Sequence, residues 1–319
     1  MECGLYFLGT MSKEIFIFCA SLLIILSLLA IPGGEPVTAQ LFICSPFIFL
    51  LGIPHGAIDN VLYTRNKRVK NTEFLIVYSS IVLLNVALWF ILPEIAYVLF
   101  LLISAYHFGQ SQFTHHFKGQ KILHQVFFMS WGLCIISALI LFNLSELELI
   151  VKSYDEFAVF ESVHYRPIFL SVFIVSSLIT LTGLIFLRYK NVFSNDTVII
   201  ELLVLGLILF SFYLMPIIIG FTLYFVILHS LKVLNEEYRY LKKTGVIQSL
   251  TSFVKLLTPF SLISLLGLFL LFGLIHFGIL KISFGYCVLI MISSITLPHV
   301  FVMDKFYHLL FTTKFYGQS

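Results

Sequence analysis

Charge is what this sequence has least of. Asp, Glu, Lys and Arg make up 11% of its 319 residues, whereas a soluble domain is about a quarter charged. With 60% of residues hydrophobic, the chain cannot cover its apolar surface in water, which excludes a soluble globular fold. Its apolar runs lack the two-residue alternation of a membrane β-barrel. The net charge of +3 is too small to suggest a nucleic-acid partner. Its five cysteines (Cys3, Cys19, Cys44, Cys134, Cys287) are scattered and form no CxxC pair. Most sit inside apolar runs, where a thiol behaves as a small hydrophobe. No small-x-small cleavage site is evident after the apolar run 15–31, and Glu2 leads it, so that run reads as a first membrane helix and not a secretory signal. HxxxH and HxxHH boxes are also missing, which speaks against a di-iron desaturase or hydroxylase. No two histidines share a helix at a spacing suited to a haem.

What remains is a series of apolar runs, each near the ~20 residues that cross a bilayer as a helix. They predict an all-α, polytopic membrane helix bundle of about ten transmembrane helices. The spans are 14–31, 39–64, 73–92, 95–113, 121–143, 167–187, 197–214, 216–234, 256–280 and 284–304. No polar stretch is long enough for a soluble domain and no repeat period appears, so residues 1–319 read as a single integral membrane domain. Pro54 predicts a kink in the second helix, because it removes a backbone donor and clashes one turn back. Met215-Pro216 leaves almost no loop between the seventh and eighth helices. With ten helices, all of the 19 lysines and arginines except Lys152, Arg166 and Lys281 fall on one side of the membrane. The positive-inside rule makes that side cytoplasmic. Both termini are then cytoplasmic, in a multi-pass protein of the cell (inner) membrane.

Against this background one stretch stands out: Pro54-His55-Gly56-Ala57-Ile58-Asp59-Asn60. On a regular helix His55 and Asp59 share a face, four residues apart. Ionisable groups in hydrocarbon are costly and mark functional sites by default. His107, His229 and His299 lie on the fourth, eighth and tenth predicted helices, which run toward the cytoplasm as the second does. Each of the four precedes a basic residue (Arg65, Lys118, Lys232, Lys305) by three to eleven positions. They form a layer within roughly 16 Å of the cytoplasmic boundary. A lone membrane histidine is often just hydrogen-bonded to its surroundings. Four at one depth beside a carboxylate point to a metal centre. Asp59 is expected to accept the spare ring N–H of His55, or to bind the metal itself. His115, His116, His124 and His308 are expected to be solvated near the cytoplasmic surface, and His164 to lie in an external loop. His276 falls toward the opposite leaflet. Asp196 and Glu201 read as a capped or snorkelling helix end. The 35 Phe and 15 Tyr suit a tunnel wall, but suit lipid-facing packing at least as well.

These motifs resemble the Brp/Blh family of membrane β-carotene 15,15′-dioxygenases. PHGAIDN at 54–60 is similar to that family's Pro-His-Gly-x-x-Asp-His element, and SAYHFGQSQ at 104–112 to its Tyr-His-Phe-Gly element. LHSLKV at 228–233 is similar to its His-Ser-x-Arg-His element, and LPHVFV at 297–302 to a late Pro-His segment. The resemblance implies a mononuclear non-haem Fe(2+) enzyme that takes a carotenoid from the bilayer and splits its central double bond with O₂ into two retinals. It also implies a functional link to a retinal-binding rhodopsin. It carries His55, His107 and His229 over as iron ligands, with Asp59 supporting them. The sequence departs from the family at Val233, where a second helical histidine is expected, and at Asn60. His299 is expected to supply the missing ligand. Tyr106, Phe108, Tyr224 and Phe225, beside the histidines, are expected against the substrate. The alternative is a catalytically altered homologue acting as a carotenoid or retinal carrier or transporter.

Overall fold

A computed structural model describes residues 15, 17–22, 24–25, 37–64, 70–117, 121–160 and 166–312. Most of the first predicted helix (14–31), both termini, His164 and the basic residues Lys13, Arg65, Lys67, Arg68, Lys118 and Lys314 lie outside the described residues. Among the described residues every regular element is helical. The elements are α1 (Val37–Phe47), α2 (Asp59–Thr64), α3 (Asn71–Ile91), α4 (Pro93–Phe113), α5 (Ile122–Phe142) and α6 (Leu144–Ser153). There follow α7 (Arg166–Tyr189), α8 (Asn195–Leu214), α9 (Ile217–Leu223), α10 (Leu231–Lys243), α11 (Leu250–His276) and α12 (Phe284–Thr312). A π-helix (Ile48–Gly52) and a 3₁₀ turn (Ile53–Gly56) join α1 to α2. A second π-helix (Tyr224–Ser230) joins α9 to α10.

Among the described residues, eight helices are long and apolar enough to cross a membrane, counting α1–α2 and α9–α10 as one each. They match eight of the ten expected spans. The fourth expected span is also helical, as α4, but its last three turns carry His107, Gln110, Ser111 and Gln112 and are too polar to join that set. The molecule is a polytopic membrane helix bundle.

Local chemistry sets the breaks. Pro93 opens α4 directly after α3, a position where its missing N–H costs nothing. Met215 and Pro216 are extended between α8 and α9, as a residue and its following proline prefer. Ser194 caps α8 by accepting the Thr197 N–H at 3.1 Å, and Ser249 caps α11.

Lipid supplies no hydrophobic force to join helices, so close packing and polar ties must do it. The tightest contact is reciprocal, between α4 and α5. A Cβ on Gly109 would lie 1.9 Å from the Phe128 carbonyl oxygen, and one on Gly132 would lie 1.8 Å from the Ala105 oxygen. α3 and α12 are tied by polar groups: Asn85 Nδ2 donates to Ser294 Oγ at 3.0 Å, and Trp89 Nε1 to Ser293 Oγ at 2.6 Å. The segment 144–160, expected to be loop, instead holds α6 and a 3₁₀ turn (Asp155–Phe160) at the end of the bundle away from His299. Glu146 on α6 takes the Ile217 N–H at the start of α9, at 2.8 Å, and the Gln40 amide of α1 at 2.5 Å. Among the eight candidate spans α11 is the least covered, with only Phe253 and Leu268 buried.

Candidate metal centre

Breaks in helical register build the site. α1 loosens into the π-helix at Ile48 and tightens into the 3₁₀ turn at Ile53, with Pro54 at its start. That turn aims His55 inward, where its Nδ1 donates to the Gly52 carbonyl. His229 lies in the second π-helix, a rare element that is frequent at functional sites. His107 and His299 come from regular helix, on α4 and α12.

The four rings meet at one place. The His55 ring centre lies 4.7 Å from that of His299, 5.3 Å from His229 and 6.5 Å from His107. His107 lies 4.9 Å from His229 and 5.0 Å from His299. One nitrogen each of His55, His107 and His299 falls within 4.8 Å of the other two. Nitrogens gathered this closely could reach one ion through imidazole–metal bonds of about 2.0–2.1 Å. His229 stands just outside this set, with its ring edge-on to His107.

All four rings are buried. Three of them have an outer nitrogen engaged: His55 with the Gly52 carbonyl, His229 Nδ1 with Ser111 Oγ at 3.0 Å, and His299 Nδ1 with Asp59 at 2.9 and 3.1 Å. His229 Nε2, His299 Nε2 and both nitrogens of His107 are buried without a hydrogen bond. Such groups are expensive in a protein interior, and here they converge. A cation with vacant coordination positions fits this donor set: buried imidazoles, three of them oriented from behind.

Asp59 corrects the sequence reading. Its partner is His299, not His55, and it also receives the Tyr78 hydroxyl at 3.1 Å. The α-helical register that would stack residues 55 and 59 is broken by the 3₁₀ turn between them. Gly56 leaves the space that the incoming ring needs: a Cβ there would sit 3.2 Å from His299 Nδ1. Val233 packs in an apolar cluster with Ile58, Leu62 and Met303.

A cavity of about 920 Å³ ends at the histidines. α12 lines it from Phe284 to His299, α4 from Tyr97 to Phe108, and α9 with its π-helix from Ile217 to His229. Each helix contributes up to its histidine and at most one residue beyond, so the imidazoles close the inner end. Fifteen residues of α12 correspond to a depth of about 22 Å. Phe108, Tyr224 and Phe225 line the cavity as expected of wall residues. Tyr106 is not on that wall; its hydroxyl donates to Asp304 Oδ1 at 3.2 Å.

Some of the remaining ionisable groups also depart from expectation. His115 and His116 are not solvated. They are largely buried at the end of α4, with ring centres 4.1 Å apart. Burial, then His116 and Lys232, holds His115 well below the ordinary imidazole value. Burial and Lys232 bring His116 down to about 3. Glu201 is fully buried on α8, accepting from Gln112 Nε2 at 2.7 Å, while Asp196 is exposed. Lys232 Nζ donates to the Gln112 carbonyl at 2.9 Å. His124 stacks on Phe117, His308 is exposed, and His276 stacks on Phe272 far from the cluster. Sequence reasoning missed Ser111, Gln110, Tyr78 and Asp304. Gln110 and Ser111 follow His107 on the same helix within four residues, and that spacing was the available signal.

The family profile for beta-carotene 15,15'-dioxygenase matches residues 47–307, which include all four histidines and Asp59. The chain belongs to this beta-carotene dioxygenase family. No functionally curated protein and no solved structure matches it. Within this dioxygenase family member, then, the matched region runs from the start of the first π-helix into α12 and includes most of the residues that line the cavity.

Proposed function

We propose that the protein is an iron(II) dioxygenase that cleaves β-carotene, or a closely related carotenoid, at its central double bond to give retinal. The observation that carries this reading is the convergence of four buried imidazoles at the inner end of a long apolar cavity, in a chain of this family. His55, His107, His229 and His299 would hold the metal. Bound there, Fe(2+) supplies the redox chemistry with O₂ that an imidazole set cannot perform by itself.

The protein's own part is binding and orientation. The carotenoid is an insoluble rod, and a cavity about 22 Å deep with aromatic and aliphatic walls accepts an extended hydrocarbon. Phe108 and Phe225 pack on the His229 ring and Tyr224 packs on Phe108, where the three would fix the polyene beside the reacting position. Asp59, Ser111 and the Gly52 carbonyl hold the three engaged imidazoles in one tautomer each. The enclosing apolar wall excludes water. The substrate would enter from the bilayer of the cell membrane, and retinal would leave toward a retinal-binding protein such as a rhodopsin.

The test is expression in a carotene-accumulating host with iron supplied. The wild type is expected to bleach the pigment and yield retinal, and to purify with one iron per chain. His55→Ala should abolish bleaching and iron while the protein remains in the membrane. Retained bleaching in His55→Ala would move catalysis elsewhere. Carotenoid that copurifies intact with an iron-free wild type would favour a carrier.

A further inference from the structure

Three of the histidines have a visible orienting partner, and His107 has none. One turn along α4 from it lies Gln110, fully buried. Its amide nitrogen donates to Asp304 Oδ1 of α12 at 2.8 Å, which fixes the amide's orientation. Its amide oxygen is then left buried without a partner. The same side chain lies within hydrogen-bonding reach of the His107 ring. The buried orphan oxygen and the partnerless ring nitrogens of His107 are complementary: one accepts, and a neutral imidazole has one N–H to give. Behind this pair, Asp304 Oδ1 also receives the Tyr106 hydroxyl at 3.2 Å.

We propose that Gln110 is the positioning residue of His107. Its oxygen takes the ring N–H and leaves the other nitrogen for the metal, while Asp304 and Tyr106 hold the amide in that orientation. The line His107–Gln110–Asp304 does for α4 what Asp59 does for His299 on α12. It also ties two helices of the centre together, since residues 110 and 304 belong to α4 and α12. The proposal rests on the metal-centre reading given above.

Full-length chain, stripped by chelator in detergent, is titrated with Co(II), and affinity and visible d–d spectrum are recorded. Wild type should bind one ion with a structured spectrum. Gln110→Leu should weaken binding about 10- to 100-fold and change the spectrum, as loss of an orienting partner does. Q110E keeps an acceptor for His107 but sets a carboxylate against Asp304, so it should also bind weakly. The pair Q110E/D304N restores an amide–carboxylate contact with the roles exchanged, and should return to within about threefold of wild type. A residue that merely packs predicts no such rescue. Unchanged affinity and spectrum in Gln110→Leu, or a double variant no better than Q110E, overturns the proposal. If Gln110→Leu fails to fold, the comparison of Q110E with Q110E/D304N decides alone. Wild type that binds no Co(II) overturns the metal centre itself and this inference with it.

Discussion

Asp59 shows how one side chain can be readable as functional and yet be misassigned. Its carboxylate accepts His299 Nδ1 at 2.9 Å and the Tyr78 hydroxyl at 3.1 Å, so it orients a ring from the far end of the chain. Asp59→Leu removes the acceptor and should lower metal affinity about 10- to 100-fold. Asp59→Asn keeps an acceptor oxygen and should lose less; equal losses would mean that charge, not orientation, is what Asp59 supplies. Metal content after equilibrium dialysis distinguishes the two. His115 and His116 offer a second residue-level test. Their ordinary value is near 6.5, and burial holds His115 well below it and His116 at about 3. Between those limits the unfolded chain binds more protons than the folded one, so stability is fully present above about pH 6.5 and falls as pH drops toward 3. The slope is at most about 1.4 kcal/mol per pH unit for each histidine. Thermal unfolding in detergent at pH 7.5 and 5.0 should show the loss, and His116→Phe should reduce it. An unaltered pH dependence in that variant would assign the acid sensitivity to other groups.

At the scale of the helix, the α4–α5 contact fixes where His107 stands. Gly109 and Ala105 flank His107 two residues either side, and both meet α5 at backbone distance through Gly109 and Gly132. A methyl group cannot fit at 1.8–1.9 Å from a carbonyl oxygen, so the helices must separate. Gly109→Ala or Gly132→Ala should therefore destabilise the protein by at least the about 1–3 kcal/mol typical of overpacking, and should weaken metal binding by moving His107. Normal melting and metal content in both variants would show that the helices tolerate separation. The same scale explains what was legible in the sequence. Apolar length alone located the helices, and basic loop residues set the histidines at one depth, so His55, His107, His229 and His299 could be singled out by position. The cross-pairing of Asp59 with His299 could not, because it depends on the 3₁₀ turn around Pro54 and on the space left by Gly56. A kink was expected at Pro54; its effect on which residues share a face was not. α6 was invisible because a ten-residue amphipathic segment is too short to register as a span. The Gln110–Asp304 contact joins residues 194 positions apart and leaves no local pattern.

For the whole molecule, the distinctive feature is a cavity that runs along the bundle and stops at the imidazoles. Its wall is drawn from α1, α4, α5, α6, α8, α9, α11 and α12, so no single helix encodes it. α11 lines it through Leu265, Leu268, Phe269 and Phe272, while Ile263 and Leu270 on the opposite side of the helix are exposed. That helix therefore separates cavity from lipid as a single, sparsely anchored layer, and an apolar substrate has no water to cross. If reaction at the histidines requires a long arm of substrate to occupy this depth, blocking the cavity far from the metal should stop the reaction without touching the metal. Val288 is the position to test. It is buried, lines the cavity, and precedes His299 on α12 by eleven residues, about 16 Å along the axis. Val288→Trp should cut carotene cleavage at least tenfold while iron content stays at the wild-type level. Overpacking by itself costs about 1–3 kcal/mol, so the variant's melting temperature and gel-filtration profile must accompany the assay. Wild-type cleavage in a folded, iron-loaded Val288→Trp protein would mean that the substrate reaches the histidines by another route, and the cavity would lose its claim to be the binding site.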